Sequence, residues 1–108
     1  RGQTMTSQPE ARYVVVFRAV IARLDDDYAA MAQRLRARAL AEFGCLGFHA
    51  LTEGEHEVAL SYWPDLESIR AWQQDPEHLE AQRLGSTIWY REHSVAVTRI
   101  ERSYQRGR

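Results

Sequence analysis

The first hydrophobic run of the chain lies between Arg12 and Ile21 and is rich in valine, with a tyrosine and a phenylalanine. β-Branched and aromatic residues in an uninterrupted run are typical of a strand that is buried on much of both faces. After three aspartates at positions 25–27, apolar residues recur at three- and four-residue steps up to Phe43. This pattern predicts an amphipathic helix that the aspartates cap and that Gly44 ends.

Two further segments have the period of strands. Residues 45–52 place Leu46, Phe48 and Ala50 on one face, and residues 56–63 alternate in the same way. A Glu-Gly-Glu turn at 53–55 separates them, which predicts an antiparallel hairpin.

The last third of the chain begins with two short helical patterns, each opened by an aspartate beside a proline. The first follows Pro64 and Asp65, and the second follows Asp75 and Pro76 and runs to Gly85. A final apolar run at 95–100 predicts a fourth strand.

The order of these elements is strand, helix, strand, strand, divided helix, strand. This order predicts an α+β fold: a ferredoxin-like split βαβ sandwich with a four-stranded antiparallel sheet and its helices on one face. We expect residues 11–104 to form one domain, residues 1–10 to be a disordered or non-native leading segment, and residues 105–108 to be a polar tail.

Strands one and four carry apolar side chains at consecutive positions, among them Val14, Val16, Val95 and Val97. A sheet with helices on one face leaves its other face uncovered, and an apolar uncovered face indicates a partner. We therefore predict a homodimer formed through the sheet faces.

Charge and cysteine content exclude several classes of protein. Fourteen basic and fifteen acidic residues are mixed along the chain, which gives a net charge of −1 and no basic surface for nucleic acid or an anionic membrane. The lone Cys45 allows no internal disulfide and belongs to no metal-ligand cluster, so we expect a cytoplasmic protein without a metal site. No segment approaches the roughly 20 apolar residues that span a bilayer.

The standard catalytic and cofactor-binding motifs are missing from the sequence, so any activity must come from a pocket. Aromatic and ionisable residues are concentrated between Tyr62 and His93, a stretch that contains all three tryptophans. His78 lies near a helix start, where the neutral imidazole is favoured and can accept a proton, although a surface or capping role is the alternative. Arg83 either clamps an anion or pairs with a carboxylate such as Glu80.

The tryptophans have competing interpretations. Trp72 lies on the apolar stripe of its helix and fits either core packing or contact with a ligand ring. Trp89 lies where the helices lead into the last strand, a place for an intersubunit or ligand contact. The inward or outward direction of Arg18, His49 and Ser61 depends on a strand register that the sequence leaves open.

The stretch from Tyr62 to Arg83, YWPDLESIRAWQQDPEHLEAQR, followed by Gly85, a Trp-Tyr pair and VAVTRIERSY, resembles the antibiotic-biosynthesis monooxygenase (ABM) superfamily. The resemblance covers Tyr13–Tyr104 and implies a dimeric α+β barrel. Members of this superfamily include cofactor-free oxygenases of aromatic polyketides and haem-degrading enzymes.

The haem-degrading members use an Asn in strand one, a Trp in the helix after strand three and a His about ten residues later. Trp72 matches the Trp, but strand one has Phe17 and Arg18 and no Asn. Gln82 stands at the position of the His, and His78 comes too early in the chain. The resemblance therefore disfavours haem as a cofactor.

The polyketide-oxidising members use an Asn, a Trp, a Tyr and an Arg around a phenolic substrate, without metal or flavin. In this chain Trp72 lies near the position of the family's Tyr, and Tyr62 lies near the position of its Asn. The position of the family's Trp is occupied by Leu66 or Asp65. Arg83 is the candidate for the Arg.

The prediction is a cofactor-independent monooxygenase that oxidises a small aromatic or quinol substrate with dioxygen. The alternatives are a non-catalytic dimer that binds a small ligand and a haem-binding or haem-degrading protein. His78 is the predicted proton acceptor and Arg83 the predicted anion stabiliser. The predicted ring contacts are Trp72, Tyr62, Trp63 and Trp89.

Overall fold

The computed structural model describes residues 10–107. Its elements, in chain order, are β1 (Tyr13–Ile21), α1 (Asp26–Glu42), β2 (Gly47–Glu53), β3 (His56–Trp63), α2 (Leu66–Gln73), α3 (Pro76–Leu84), a π-helical turn (Gly85–Trp89) and β4 (Tyr90–Arg99).

The four strands form one antiparallel sheet in the order β2-β3-β1-β4, with the helices on one face. This arrangement confirms the predicted α+β ferredoxin-like fold. Residues 1–9 of the predicted leading segment lie outside the described residues, and the predicted domain boundaries stay a prediction.

Local signals in the sequence set the ends of the helices. The Asp25 side chain accepts a hydrogen bond from the backbone N–H of Tyr28, Asp65 caps α2, and Asp75 caps α3. Gly44 has a φ of 83°, the left-handed conformation that glycine adopts without a steric penalty after a helix.

The prediction from the sequence was wrong about where the helical region ends and where the last strand begins. Gly85 has a helical φ of −60° and continues from α3 into the π-helical turn. β4 then begins at Tyr90, five residues before the predicted start at Val95. The reason is that β4 is an edge strand of the described sheet, where it pairs with β1 and is exposed along most of its length, so polar residues are tolerated there and no apolar run marks its beginning.

The tight part of the core lies at one end of the sheet, under α1 and α2. Trp63 is fully buried and its indole N–H donates to the hydroxyl oxygen of Ser61 at 2.8 Å. Ile69 and Trp72 from α2 and Ala39 from α1 complete the buried cluster. This end holds the helices on the sheet and defines one wall of the cavity described next.

Candidate functional site

A cavity of about 450 Å³ lies between the helices and the sheet. Its floor contains the small side chains Ala50, Ala59 and Ser61 on β2 and β3. Because these side chains are short, the helices above them do not close onto the sheet. The size is within the range of pockets that bind small molecules.

The strand register decides which face of the sheet belongs to the cavity. Ser61 pairs with Val15 and with Phe48, and all three side chains line the cavity, so they share the helix-covered face. Arg18 and His49 lie one residue out of phase with this set and therefore project from the uncovered face. The ambiguity over Arg18, His49 and Ser61 is thus resolved.

Trp72 and His78 form one end of the cavity. Their rings stack with centroids 4.4 Å apart and an interplanar angle of 18°. The His78 Nδ1 atom is buried, and among residues 10–107 it has no hydrogen-bond partner. Burial lowers the pKa of His78. The backbone polar groups of Trp72 and Gln73 and the negative charge of Asp75 raise it, but more weakly. The neutral imidazole is therefore the dominant form near neutral pH.

A polar pair that the sequence analysis missed forms the opposite end. The Tyr28 hydroxyl on α1 donates to Glu57 Oε1 on β3 at 2.5 Å, and both residues line the cavity. Burial and this hydrogen bond raise the pKa of Tyr28, and burial raises the pKa of Tyr90 to about 12. Both phenols thus stay protonated near neutral pH. The available signal was a glutamate that shares one face of an alternating strand with Ala59, Ser61 and Trp63.

The π-helical turn brings Trp89 and Tyr90 to the same end of the cavity. The Trp89 indole N–H donates to Asp25 at 3.2 Å, and its ring meets Tyr28 edge-on at 5.1 Å. A Cβ atom at Gly85 would lie 2.9 Å from the Tyr90 ring, so glycine is needed for this close approach. π-Helical turns are frequent at functional sites because the extra residue redirects side chains.

Of the six residues predicted for the site, the structure places His78, Trp72 and Trp89 in the cavity lining. Trp63 belongs to the core, and Tyr62 projects from the uncovered face. Arg83 lies outside the cavity, where its guanidinium donates to Glu80 at 2.6 and 3.1 Å. Tyr62 and Trp63 are therefore not placed to contact a ligand ring in this cavity, and Arg83 is not placed to stabilise an anion there.

Arg36 on α1 is the arginine of the cavity lining. Its guanidinium carbon lies 5.2 Å from the centre of the Phe48 ring, within the range of a cation–π contact. Arg36 was not predicted because it lies on α1, outside the stretch from Tyr62 to His93 in which aromatic and ionisable residues are concentrated.

Residues 10–107 contain neither a metal-ligand cluster nor a helix that could span a membrane. Within residues 10–107 no group of three or more His, Cys, Asp or Glu side chains is arranged to hold a metal ion. No helix in that range has the length and apolar character needed to cross a bilayer. The cytoplasmic location stays a prediction.

Comparison with known proteins identifies the family. The sequence model of the antibiotic biosynthesis monooxygenase family matches residues 12–84. The uncharacterised protein YqjZ of Bacillus subtilis is 30% identical over 91 residues, which cover 83% of this chain and 80% of YqjZ.

Solved structures share the fold at lower identity. SnoaB, a cofactor-independent oxygenase from Streptomyces nogalater, superposes with a TM-score of 0.72 at 13% identity, covering 87% of this chain and 97% of SnoaB. Rv0793 from Mycobacterium tuberculosis superposes with a TM-score of 0.71 at 15% identity, covering 88% of this chain and all of Rv0793. The family match, which spans most of the chain and agrees with this fold, shows that the protein belongs to the antibiotic biosynthesis monooxygenase family.

Proposed function

We propose that the protein is a cofactor-independent monooxygenase that oxidises a small phenol or quinol with dioxygen in the cavity between the helices and the sheet. The observation that carries the proposal is an aromatic-lined cavity with a buried, neutral His78 at one end, in a chain of this family. SnoaB, which has the same fold, is described as a cofactor-independent oxygenase.

The reaction needs only a proton acceptor and an environment that favours the substrate anion. A phenol with a free ortho or para C–H loses its hydroxyl proton, and the electron-rich phenolate transfers one electron to dioxygen. The two radicals combine to form a carbon–oxygen bond, and the resulting peroxide loses water as its O–O bond breaks. One oxygen atom stays on the ring, so that phenol and dioxygen become quinone and water.

His78 is the proposed proton acceptor. Since Nδ1 is buried, Nε2 is the ring nitrogen that a ligand would reach, and the neutral imidazole can take the phenolic proton there. The same group can return the proton to the peroxide oxygen that leaves as water. Trp72 holds the imidazole by stacking and, with Trp89, supplies flat walls for an aromatic ring.

Arg36 is the proposed stabiliser of the substrate anion, in the role that the sequence analysis assigned to Arg83. A guanidinium at the edge of an apolar cavity lowers the energy of a phenolate relative to the phenol. This assignment follows from position, because Arg36 lines the cavity and Arg83 pairs with Glu80 outside it.

The experiment that tests this function is oxygen consumption by the purified protein with phenols and hydroquinones of one to three fused rings, in the presence of a chelator. We expect oxygen uptake above the uncatalysed rate together with quinone absorbance. His78→Ala should lower turnover by roughly 10²-fold or more, the usual contribution of a general base. Absence of uptake with every substrate, or unchanged turnover of His78→Ala, would contradict the proposal.

A matched pair of arginine variants separates the two arginines. Arg36→Gln should slow turnover by on the order of tenfold, since it removes a charged partner of the anion, whereas Arg83→Gln should leave turnover unchanged. The opposite result would restore the role predicted for Arg83 from the sequence.

We also infer that the chain forms a homodimer through the uncovered face of the sheet. Val58, Leu60 and Tyr62 of β3 share this face, Val58 being 40% exposed in the single chain, and Leu51 on β2 is 80% exposed. A group of exposed apolar side chains on an uncovered sheet face favours a partner surface, with Arg18 and His49 beside them on the same face.

Light scattering with size-exclusion chromatography measures the mass and tests the dimer. The wild-type protein should have twice the chain mass, and Val58→Arg together with Leu60→Arg should shift it to the monomer, because the buried charges would lack partners. Leu79→Arg, an exposed leucine on α3, is the control and should remain dimeric.

A further inference from the structure

The cavity is lined along β3 from Ser61 to Glu57, and the residues near these two positions differ in chemistry. Ser61, Ala59 and Glu57 follow one another on the helix-covered face of this strand. With a rise of about 3.4 Å per residue, the Cα atoms of Ser61 and Glu57 are roughly 14 Å apart. Trp63, the next residue beyond Ser61 on this face, lies 6.4 Å from Trp72 between ring centres, so the Trp72 end corresponds to Ser61.

Glu57 at the far end is buried with only a neutral partner. Glu57 is 8% exposed, and its carboxylate accepts a hydrogen bond from the Tyr28 hydroxyl. Within residues 10–107, Glu57 takes part in no salt bridge. Burying a carboxylate without a cation is unfavourable unless hydrogen bonds compensate for the lost water.

The acceptor capacity of Glu57 is only partly used. A carboxylate has about four lone-pair sites, and the Tyr28 hydroxyl occupies one of them. The surroundings are aromatic: Tyr90 and His93 line the cavity here with ring centres 5.9 Å apart, and Phe17 lies 5.3 Å from Tyr90. A ligand hydroxyl that reaches this end would therefore find a strong acceptor within apolar walls.

We propose that Glu57, positioned by Tyr28, is a second ligand-binding group that accepts a hydrogen bond from a hydroxyl far from the one at His78. The preferred ligand is then a fused-ring aromatic diol with hydroxyl groups at opposite ends. This inference rests on the proposed function for the nature of the ligand, but it concerns binding rather than oxidation.

Two ligands of the same shape test the proposal on the wild-type protein. 2,6-Dihydroxynaphthalene carries a hydroxyl at each end, and in 6-methoxy-2-naphthol one of them is a methyl ether that cannot donate. Titration calorimetry gives the two dissociation constants, and the fluorescence of the cavity tryptophans Trp72 and Trp89 gives an independent value. The diol should bind on the order of tenfold more tightly, as expected for a hydrogen bond to a charged group.

Glu57→Gln assigns that preference to Glu57. The variant keeps the side-chain shape and removes the charge, so the ratio of the two affinities should fall to about threefold or less. Glu80→Gln is the matched control, because Glu80 is a glutamate on α3 that pairs with Arg83 outside the cavity. Its affinity ratio should equal that of the wild-type protein, and circular dichroism verifies that both variants are folded.

The possible outcomes separate this proposal from the proposed function. Equal binding of the diol and the ether to the wild-type protein, or an unchanged ratio in folded Glu57→Gln, overturns the role of Glu57 while leaving the oxygenase intact. Binding of neither ligand overturns the role of Glu57, and the oxygen-uptake measurements decide separately on the oxygenase. A preference for the diol that disappears in Glu57→Gln, without oxygen uptake, supports the binding role and contradicts the oxygenase. If Glu57→Gln does not fold, equal binding of the two ligands to the wild-type protein still overturns the proposal.

Discussion

The two ends of the layer between helices and sheet are built from the same strands but differ in packing. At one end Trp63 is completely buried against Ile69 and Trp72, and the only polar atom of its side chain is hydrogen-bonded to Ser61. Toward the other end β2 and β3 present Ala50 and Ala59, and the space above them stays open.

This difference shows how so small a domain combines stability with a binding site. Large side chains at one end supply the apolar burial that stabilises the fold. Small side chains next to them leave a volume that a ligand can occupy. A substitution at the packed end should therefore change stability, and one at the hollow end should change binding.

The largest effect is expected at the packed end. Trp63→Ala removes a fully buried ring and leaves both a void and an unpaired Ser61 hydroxyl, so the free energy of unfolding should fall by about 3–5 kcal/mol. Urea denaturation followed by circular dichroism measures this change. Arg70→Ala, at an exposed position on α2 outside the proposed dimer face, is the control and should stay within about 0.5 kcal/mol of the wild-type protein. A small loss for Trp63→Ala would contradict the division into two ends.

An intermediate effect is expected where the cavity is filled. Ala59→Leu adds apolar volume to the cavity floor and should weaken binding of a naphthalenediol by at least about tenfold, or about 1.4 kcal/mol. Because the added atoms enter existing space, unfolding should change by less than about 1.5 kcal/mol. Fluorescence titration and urea denaturation measure the two quantities. Unimpaired binding would mean that the ligand site lies elsewhere.

The smallest effect concerns His78 and pH. Burial holds its pKa below the ordinary value of 6.5, so the unfolded chain binds this proton more readily than the folded chain as the pH falls below 6.5. The stability that comes from this difference is present above pH 6.5 and decreases as the pH falls toward the lower pKa of the folded state. His78→Gln should make this decrease smaller, whereas His56→Gln, at an exposed position, should not. Urea denaturation at a series of pH values measures the free energy of unfolding of both variants and of the wild-type protein, so that the three pH dependences can be compared.

Local rules account for the parts of the molecule that the sequence predicted correctly. Asp25, Asp65 and Asp75 cap their helices, and Gly44 takes a positive φ, because each effect involves residues close in the chain. The order of strands and helices followed from hydrophobic periodicity. The start of β4 was misplaced because an exposed edge strand needs no apolar run.

The site was predicted only in part, because residues that are close in the chain could be grouped from the sequence and distant ones could not. Trp72 and His78 are six residues apart in adjoining helices, so a local reading of the sequence grouped them. Tyr28 and Glu57 are 29 residues apart and meet only because α1 crosses the sheet above β3. Arg83 was favoured over Arg36 because it is closer in the chain to the tryptophans, although its guanidinium bonds to Glu80.

The sequence by itself thus determined the order of elements, the starts of the helices, the end of α1, the fold and the family resemblance. The tertiary structure alone decided which face of β3 lines the cavity, which arginine lies beside it and which glutamate is buried there. The physical reason is that a shift of one residue in strand register exchanges the two faces of a strand. Periodicity shows that two faces exist, but only the packing of the helices on the sheet decides which of them forms the cavity.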